Sequence, residues 1–214
     1  MFFPYKDDNP KILIPYVNYI IIGINILIFI FQFTMGIQDP EAEAILIYTY
    51  GLIPANFSIL TMLSSMFLHG GIAHILGNMW FLWLFGDNVE STLGHVRYIL
   101  FYVLCGIFAA LCQVLMNPGS EIPMVGASGA IAGVLGLYMI RFPKARVHVF
   151  VFIIIFFTTI KVPAIIVLGF WFFNQLTSGL GSLGLDITGG VAWFAHVGGF
   201  IAGIMLHQVF KLIR

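Results

Sequence analysis

At 214 residues, the chain is 60 % hydrophobic and only 8 % charged, with nine acidic and nine basic residues, zero formal net charge and a mean hydropathy of +1.02. Soluble domains carry roughly 25 % charged residues, so soluble, disordered and disulfide-scaffold classes are excluded and a polytopic membrane protein is the default. There is no basic stripe to neutralise phosphates, so nucleic acid is not a partner.

Residues 1–16 form a short N-terminal tail. It is not a signal peptide, because the first apolar run begins only after Pro15 and has no small-residue cleavage site. Nor is it a transit peptide, since it holds Asp7 and Asp8 and no arginine, so the first helix is expected to stay in the mature protein. A helix needs about 20 apolar residues to cross a bilayer. The first such span is predicted at 17–35 and the first outer loop at 36–71. Within that loop, residues 41–68 are patchily apolar and broken by Gly51, Pro54, Asn56 and Ser64, which suits a structured segment lying at the interface. The second span is expected at 72–89, and the third at 96–116, closed by Asn117-Pro118-Gly119. Cys105 and Cys112 lie in the third, about 10 Å apart along a helix axis and too far apart to bridge. The fourth span is expected at 123–140, ended by Arg141, Pro143, Lys144 and Arg146.

Residues 147–160 are only 14 long, too short to cross. A lysine at the bilayer centre costs about 2.5–3.5 kcal/mol. Keeping Arg146 and Lys161 on one side avoids that cost, so 147–160 is expected to lie at the interface or dip in and return. The fifth span is expected at 162–178, with Pro163 in its first turn. The last begins near Gly190 and ends before Lys211.

The expected fold class is therefore all-α: a six-transmembrane-helix bundle in one domain over 1–214, with both termini on one side. Lys6, Lys11, Arg97, Arg141, Lys144, Arg146, Lys161, Lys211 and Arg214 then share that side, while Asp39, Glu41, Glu43, Glu121 and Asp186 face the other. The positive-inside rule makes the basic side, and both termini, cytoplasmic. A seven-span arrangement breaks the pattern.

Polar groups within a membrane are costly and need a reason. His74 and Asn78 are four apart on one face of the second span, with His69 just before it. Ser128 stands in Gly126-Ala127-Ser128-Gly129 on the fourth, and His196 in Ala195-His196-Val197-Gly198-Gly199 on the last. Counted from the outer helix ends, these residues share a layer about 7–10 Å below the outer surface. Gly129/Gly133 and Gly199/Gly203 have the small-xxx-small spacing that lets helix backbones approach closely. Taken alone, such a helix is a packing device, and a membrane serine usually bonds its own i−4 carbonyl. The conjunction points instead to a serine activated by a histidine base. The Asn78 amide, the His74 ring and the Ser128 N–H are available to an oxyanion. No acidic residue lies in this layer, Asp186 being in the outer loop, so a dyad is expected. There is no HExxH motif, and neither a metal held by His69, His74 and His196 nor any cofactor is expected. His95, His148 and His207 fall near the cytoplasmic boundary, and Trp80, Trp83, Trp171 and Trp193 read as packing or interface anchors.

The ordered set His69-Gly-Gly-Ile-Ala-His74-Ile-Leu-Gly-Asn78-Met-Trp80, Gly126-Ala-Ser128-Gly129 and Ala195-His196-Val-Gly-Gly199 resembles the rhomboid family of intramembrane serine proteases, over nearly the whole chain. The resemblance implies a six-helix bundle with a water-accessible cavity, cleaving transmembrane segments of protein substrates in a lipid bilayer. It implies Ser128 as nucleophile, His196 as base, Asn78 and His74 as oxyanion donors, and His69, Gly126 and Gly129 in support. It also implies a structural role for Glu90 and a half-submerged first loop. Many bacterial members carry an aromatic residue four after the serine that stacks on the histidine. Here that position is Ala132, leaving Phe81, Trp83 or Trp193 to hold His196. The Trp-Arg pair of some members' first loop is absent. A cell inner or plasma membrane location follows, with the site open to the non-cytoplasmic side. The alternatives are a catalytically inactive rhomboid-like binder of membrane proteins or a small transporter. Against the transporter, the halves show no repeat and no acidic residue sits at mid-membrane.

Overall fold

A computed structural model describes residues 2–10, 12–153, 156–182 and 191–212. Lys11, Asp186 and Arg214, assigned to one side or the other from sequence, lie outside the described residues, as does the Lys211 side chain.

The first span forms α1 (Tyr16–Gln38); the first loop holds α2 (Pro40–Tyr50), a 3₁₀ turn (Pro54–Asn56) and α3 (Ile59–Ser64); then come α4 (Ile72–Leu93) and α5 (His95–Met116). After them come α6 (Ser128–Arg141), α7 (Ala164–Ser182) and α8 (Trp193–Leu212). By length and composition α1, α5, α7 and residues Trp193–Phe210 of α8 can cross a membrane, and α6 is a shorter apolar helix. The 22 residues of α4 include Asp87, Asn88 and Glu90, which make it less apolar and are buried within the protein.

Two expectations need correction. The protein is mostly helical but not all-α: β1 (Phe2–Asp7), β2 (Arg146–Ile153) and β3 (Phe156–Pro163) form an antiparallel sheet in the order β1-β2-β3. The segment 147–160, which the all-α expectation left without strands, contributes to β2 and β3. Its β-branched and aromatic residues alternate in the strand period, with Val147, Val149 and Val151 buried and Phe150 exposed. The N-terminal tail supplies the partner strand. The Trp80 indole N–H donates to the Pro4 carbonyl at 2.8 Å, and the Asp7 carboxylate accepts from the Tyr138 hydroxyl and, at 3.2 Å, from Asn88 Nδ2.

The second correction concerns α6, which begins at Ser128 rather than at residue 123. Residues 123–126 are held out of the helix by the first loop. Leu52 and Met124 exchange backbone bonds at 2.9 and 2.8 Å, and the Gly126 N–H donates to the Ser65 carbonyl at 2.8 Å. Gly126 has φ +127°, a conformation that glycine adopts without strain.

The starts of α1 and α5 meet at one buried carboxylate near the end of α4. Glu90, fully buried, accepts from the Val17 N–H at 3.0 Å and the Asn18 N–H at 2.7 Å, and it bonds His95 Nδ1 at 2.5 Å. It thereby satisfies two of the donors that the start of α1 leaves unpaired. On the sheet, His148 and Lys161 lie 2.7 and 3.5 Å from the Asp8 carboxylate.

Candidate functional site

Ser128 opens α6, so its N–H belongs to the first turn, which has no helical carbonyl four residues back to pair with. The aligned peptides of α6 also place partial positive charge there. His196 lies in the first turn of α8. The two helices are brought together by glycines: a Cβ on Gly199 would overlap the Gly129 carbonyl oxygen, and one on Gly203 would overlap that of Gly133. This packing sets His196 Nε2 2.8 Å from Ser128 Oγ.

His74 and Asn78 approach the same turn from α4. A Cβ at position 126 would lie 2.7 Å from His74 Nε2 and 3.5 Å from Asn78 Nδ2. The Gly70 N–H donates to His74 Nδ1 at 3.3 Å. A neutral imidazole that accepts at Nδ1 carries its proton on Nε2, so His74 presents an N–H to the Gly126–Ser128 turn. Asn78 Nδ2 has no hydrogen-bond partner among the described residues. Three donors, Ser128 N, His74 Nε2 and Asn78 Nδ2, therefore border one turn and can serve an oxyanion formed at Ser128.

His69 is set back from this group. Its backbone is clamped by Gln32, whose Oε1 accepts from the His69 N–H at 3.1 Å and whose Nε2 donates to the His69 carbonyl at 2.6 Å. Its buried ring packs edge-on against His74 with centroids 5.2 Å apart. Gly126 and Gly129 act through space and backbone shape: a Cβ on Gly129 would lie 2.5 Å from the Ala109 Cβ.

The group opens into a cavity of about 780 Å³, walled by His74, Asn78, Phe81, Trp171, Trp193 and His196. A recess of about 10 Å³ beside Ser128 is lined by Gly106, Ala109, Gly126 and Gly129 among others.

Of the aromatic residues expected to replace a ring at Ala132, Trp193 meets His196 edge-on with centroids 6.4 Å apart. Phe81 lines the cavity, and Trp83 packs on Trp80. Trp171, read from sequence as a packing or interface anchor, packs on His196 itself, with ring centroids 5.9 Å apart and planes tilted by 37°. Sequence reasoning also passed over Gln175, whose Oε1 lies 2.7 Å from His196 Nδ1. Its signal was available, as a polar side chain inside an apolar span.

A family model described as a rhomboid domain matches residues 56–211. Among curated proteins, the chain is 28 % identical over 211 residues to rhomboid protein 1, mitochondrial, of Saccharomyces cerevisiae, covering 95 % of this chain and 54 % of that protein. It is 30 % identical over 194 residues to rhomboid protease GluP of Bacillus subtilis, covering 88 % of this chain and 34 % of GluP. It is 34 % identical over 153 residues to RHOMBOID-like protein 4 of Arabidopsis thaliana, covering 72 % of this chain and 34 % of that protein. The chain thus spans only about a third to a half of the length of these relatives.

Proposed function

The chain belongs to the rhomboid family, and we propose that it is an intramembrane serine endopeptidase acting on transmembrane segments of membrane proteins. The observation that carries this reading is the 2.8 Å hydrogen bond between Ser128 Oγ and His196 Nε2, made at the start of α6 and facing the cavity. The name of the GluP relative, a rhomboid protease, agrees with it.

In this mechanism a substrate helix reaches the cavity sideways from the lipid and unwinds at helix-breaking residues. An unpaired backbone is tolerated there because the cavity is protein-lined and wet. Ser128 Oγ attacks the scissile carbonyl while His196 Nε2 takes its proton. The oxyanion is met by the Ser128 N–H, the His74 Nε2–H and the Asn78 amide. His196 then protonates the leaving amine, and water hydrolyses the acyl-enzyme. The recess beside Ser128, with room for about one water-sized group, favours small side chains next to the cut.

The proposal takes α1, α4, α5, α6, α7 and α8 as six crossings of one domain with both termini cytoplasmic. The site then opens to the non-cytoplasmic side of a cell inner or plasma membrane. The Lys/Arg distribution along the sequence, including Lys161 at Asp8, supports that orientation.

The test is cleavage of a transmembrane substrate in proteoliposomes by the wild type, Ser128→Ala and His196→Ala, with fluorophosphonate labelling mapped by mass spectrometry. Both variants should lose cleavage, and Ser128 should carry the label. Undiminished cutting by either variant refutes the assigned roles. Substrate binding with no product and no label on Ser128 would mark a non-catalytic binder.

A further inference from the structure

Gln175 is a polar side chain, 8 % exposed, on the apolar helix α7, and the reaction outlined above gives it no part. The atom it turns to His196 is Oε1, 2.7 Å from Nδ1. An amide oxygen can only accept, so Nδ1 carries the hydrogen. A neutral imidazole has a single N–H, which leaves Nε2 with a bare lone pair towards Ser128 Oγ, 2.8 Å away. Trp171 lies four residues before Gln175 and therefore on the same face of α7. One face of one helix thus supplies both a ring over His196 and an acceptor for its far nitrogen.

We propose that Gln175 is a positioning residue for the peptidase reaction, fixing from α7 the Nδ1–H tautomer and ring plane of His196 so that Nε2 receives the Ser128 proton. The inference rests on the peptidase reading. When Ser128 attacks, the Oγ–H bond breaks, the Oγ–C bond forms and the proton moves to Nε2. The Nδ1–H stays on its nitrogen, bonded to the Gln175 oxygen. Gln175 neither gains nor loses a proton, and its amide dipole turns a negative end to the ring as the ring becomes cationic. In the other tautomer Nε2 carries the hydrogen and cannot accept, so rotation of His196 away from Gln175 disarms the base.

The experiment uses the full chain in lipid nanodiscs with ¹⁵N-labelled histidine, His196 being assigned by loss of its resonances in His196→Ala. The wild type should show His196 protonated at Nδ1. Gln175→Leu, of similar size but with no acceptor, should shift it to a mixture of tautomers. It should also lower kcat about 10- to 100-fold, with KM within about twofold. Gln175→Glu keeps an oxygen lone pair in either protonation state and should restore the tautomer and most of kcat. Should Gln175→Leu not fold, Gln175→Met carries the same expectation. A wild-type His196 protonated at Nε2, or an unchanged tautomer or kcat in the acceptor-free variant, overturns the proposal. Absence of Ser128-dependent cleavage by the wild type sinks the peptidase reading instead, while the tautomer spectra still decide whether Gln175 sets the ring.

Discussion

Gly199 packs against the main chain of Gly129: a Cβ added to Gly199 would overlap the Gly129 carbonyl oxygen and lie 3.4 Å from the Ala109 Cβ. The contact repeats one turn on, between Gly203 and Gly133, and in reverse where Gly136 meets the Phe200 carbonyl. A backbone carbonyl cannot swing aside as a side chain can, so any added carbon must separate α6 from α8. Gly199→Ala is expected to cost about 1–3 kcal/mol, the usual range for overpacking. It should also cut fluorophosphonate labelling of Ser128 more than about tenfold, because His196 moves with α8. Gly169→Ala on α7, where nothing lies within 4 Å, should change neither thermal stability nor labelling.

Gly126 couples backbone shape to the proposed oxyanion donors. Its φ of +127° is strained for any residue with a Cβ, and that carbon would press on His74 Nε2 at 2.7 Å. Gly126→Ala should displace the ring and reduce kcat on the order of 10²-fold, the scale of losing one oxyanion donor. An unaltered kcat in a folded Gly126→Ala protein would remove His74 from that role.

Glu90 anchors the other end of the bundle. Removing its carboxylate in Glu90→Ala strands the buried Asn18 N–H, at 2.7 Å, and the Val17 N–H, at 3.0 Å. Each buried donor left unpaired costs about 1–3 kcal/mol. The variant should therefore melt well below the wild type, while His95→Phe, which spares both helix-start bonds, should melt closer to it. Equal melting of Glu90→Ala and the wild type would contradict the capping role.

The Asp8 carboxyl is held below its ordinary value by the hydrogen bond from His148, reinforced by the positive charges of His148 and Lys161. A depressed carboxylate stabilises the fold above its unfolded pKa of about 3.9, and that contribution is lost as pH falls through the lower, folded value. The wild type should therefore melt above Asp8→Asn at neutral pH, with the gap closing below about pH 4. A gap that persists or widens in acid would show that the pair does not work this way.

The long helices were legible because an apolar run of about 20 residues has few other fates. Ser128, His196, His74 and Asn78 were legible as polar groups placed where polar groups are costly. Gln175 meets the same criterion but was absorbed into the fifth span, because nothing in its local sequence signals its partner 21 residues away. The sheet was missed for a different reason. Residues 147–160 were measured against the length of a membrane crossing, and that yardstick overlooked the alternation of Val147, Val149 and Val151 with His148 and Phe150. The strand that completes the sheet, Phe2–Asp7, contains a proline, so its pairing depends on β2 more than on its own propensity. The start of α6 at Ser128 was hidden because Pro123 to Ala127 are apolar enough to continue a helix. Backbone bonds from Met124 to Leu52 and from Gly126 to Ser65 keep this stretch out of the helix.

The pairing of β1 with β2 also sets an order of assembly. Asp7 lies opposite Val147, a separation of 140 residues along the chain. At a synthesis rate of about 5–20 residues per second, β1 waits roughly 7–28 s after leaving the ribosome for its partner strand to be made. Through that interval α1 to α6 are translated while the strand's hydrogen-bonding groups stay open. The sheet is therefore a late clasp, closing over helices that have already emerged, and a nascent chain stopped before Arg146 would carry β1 without its mate.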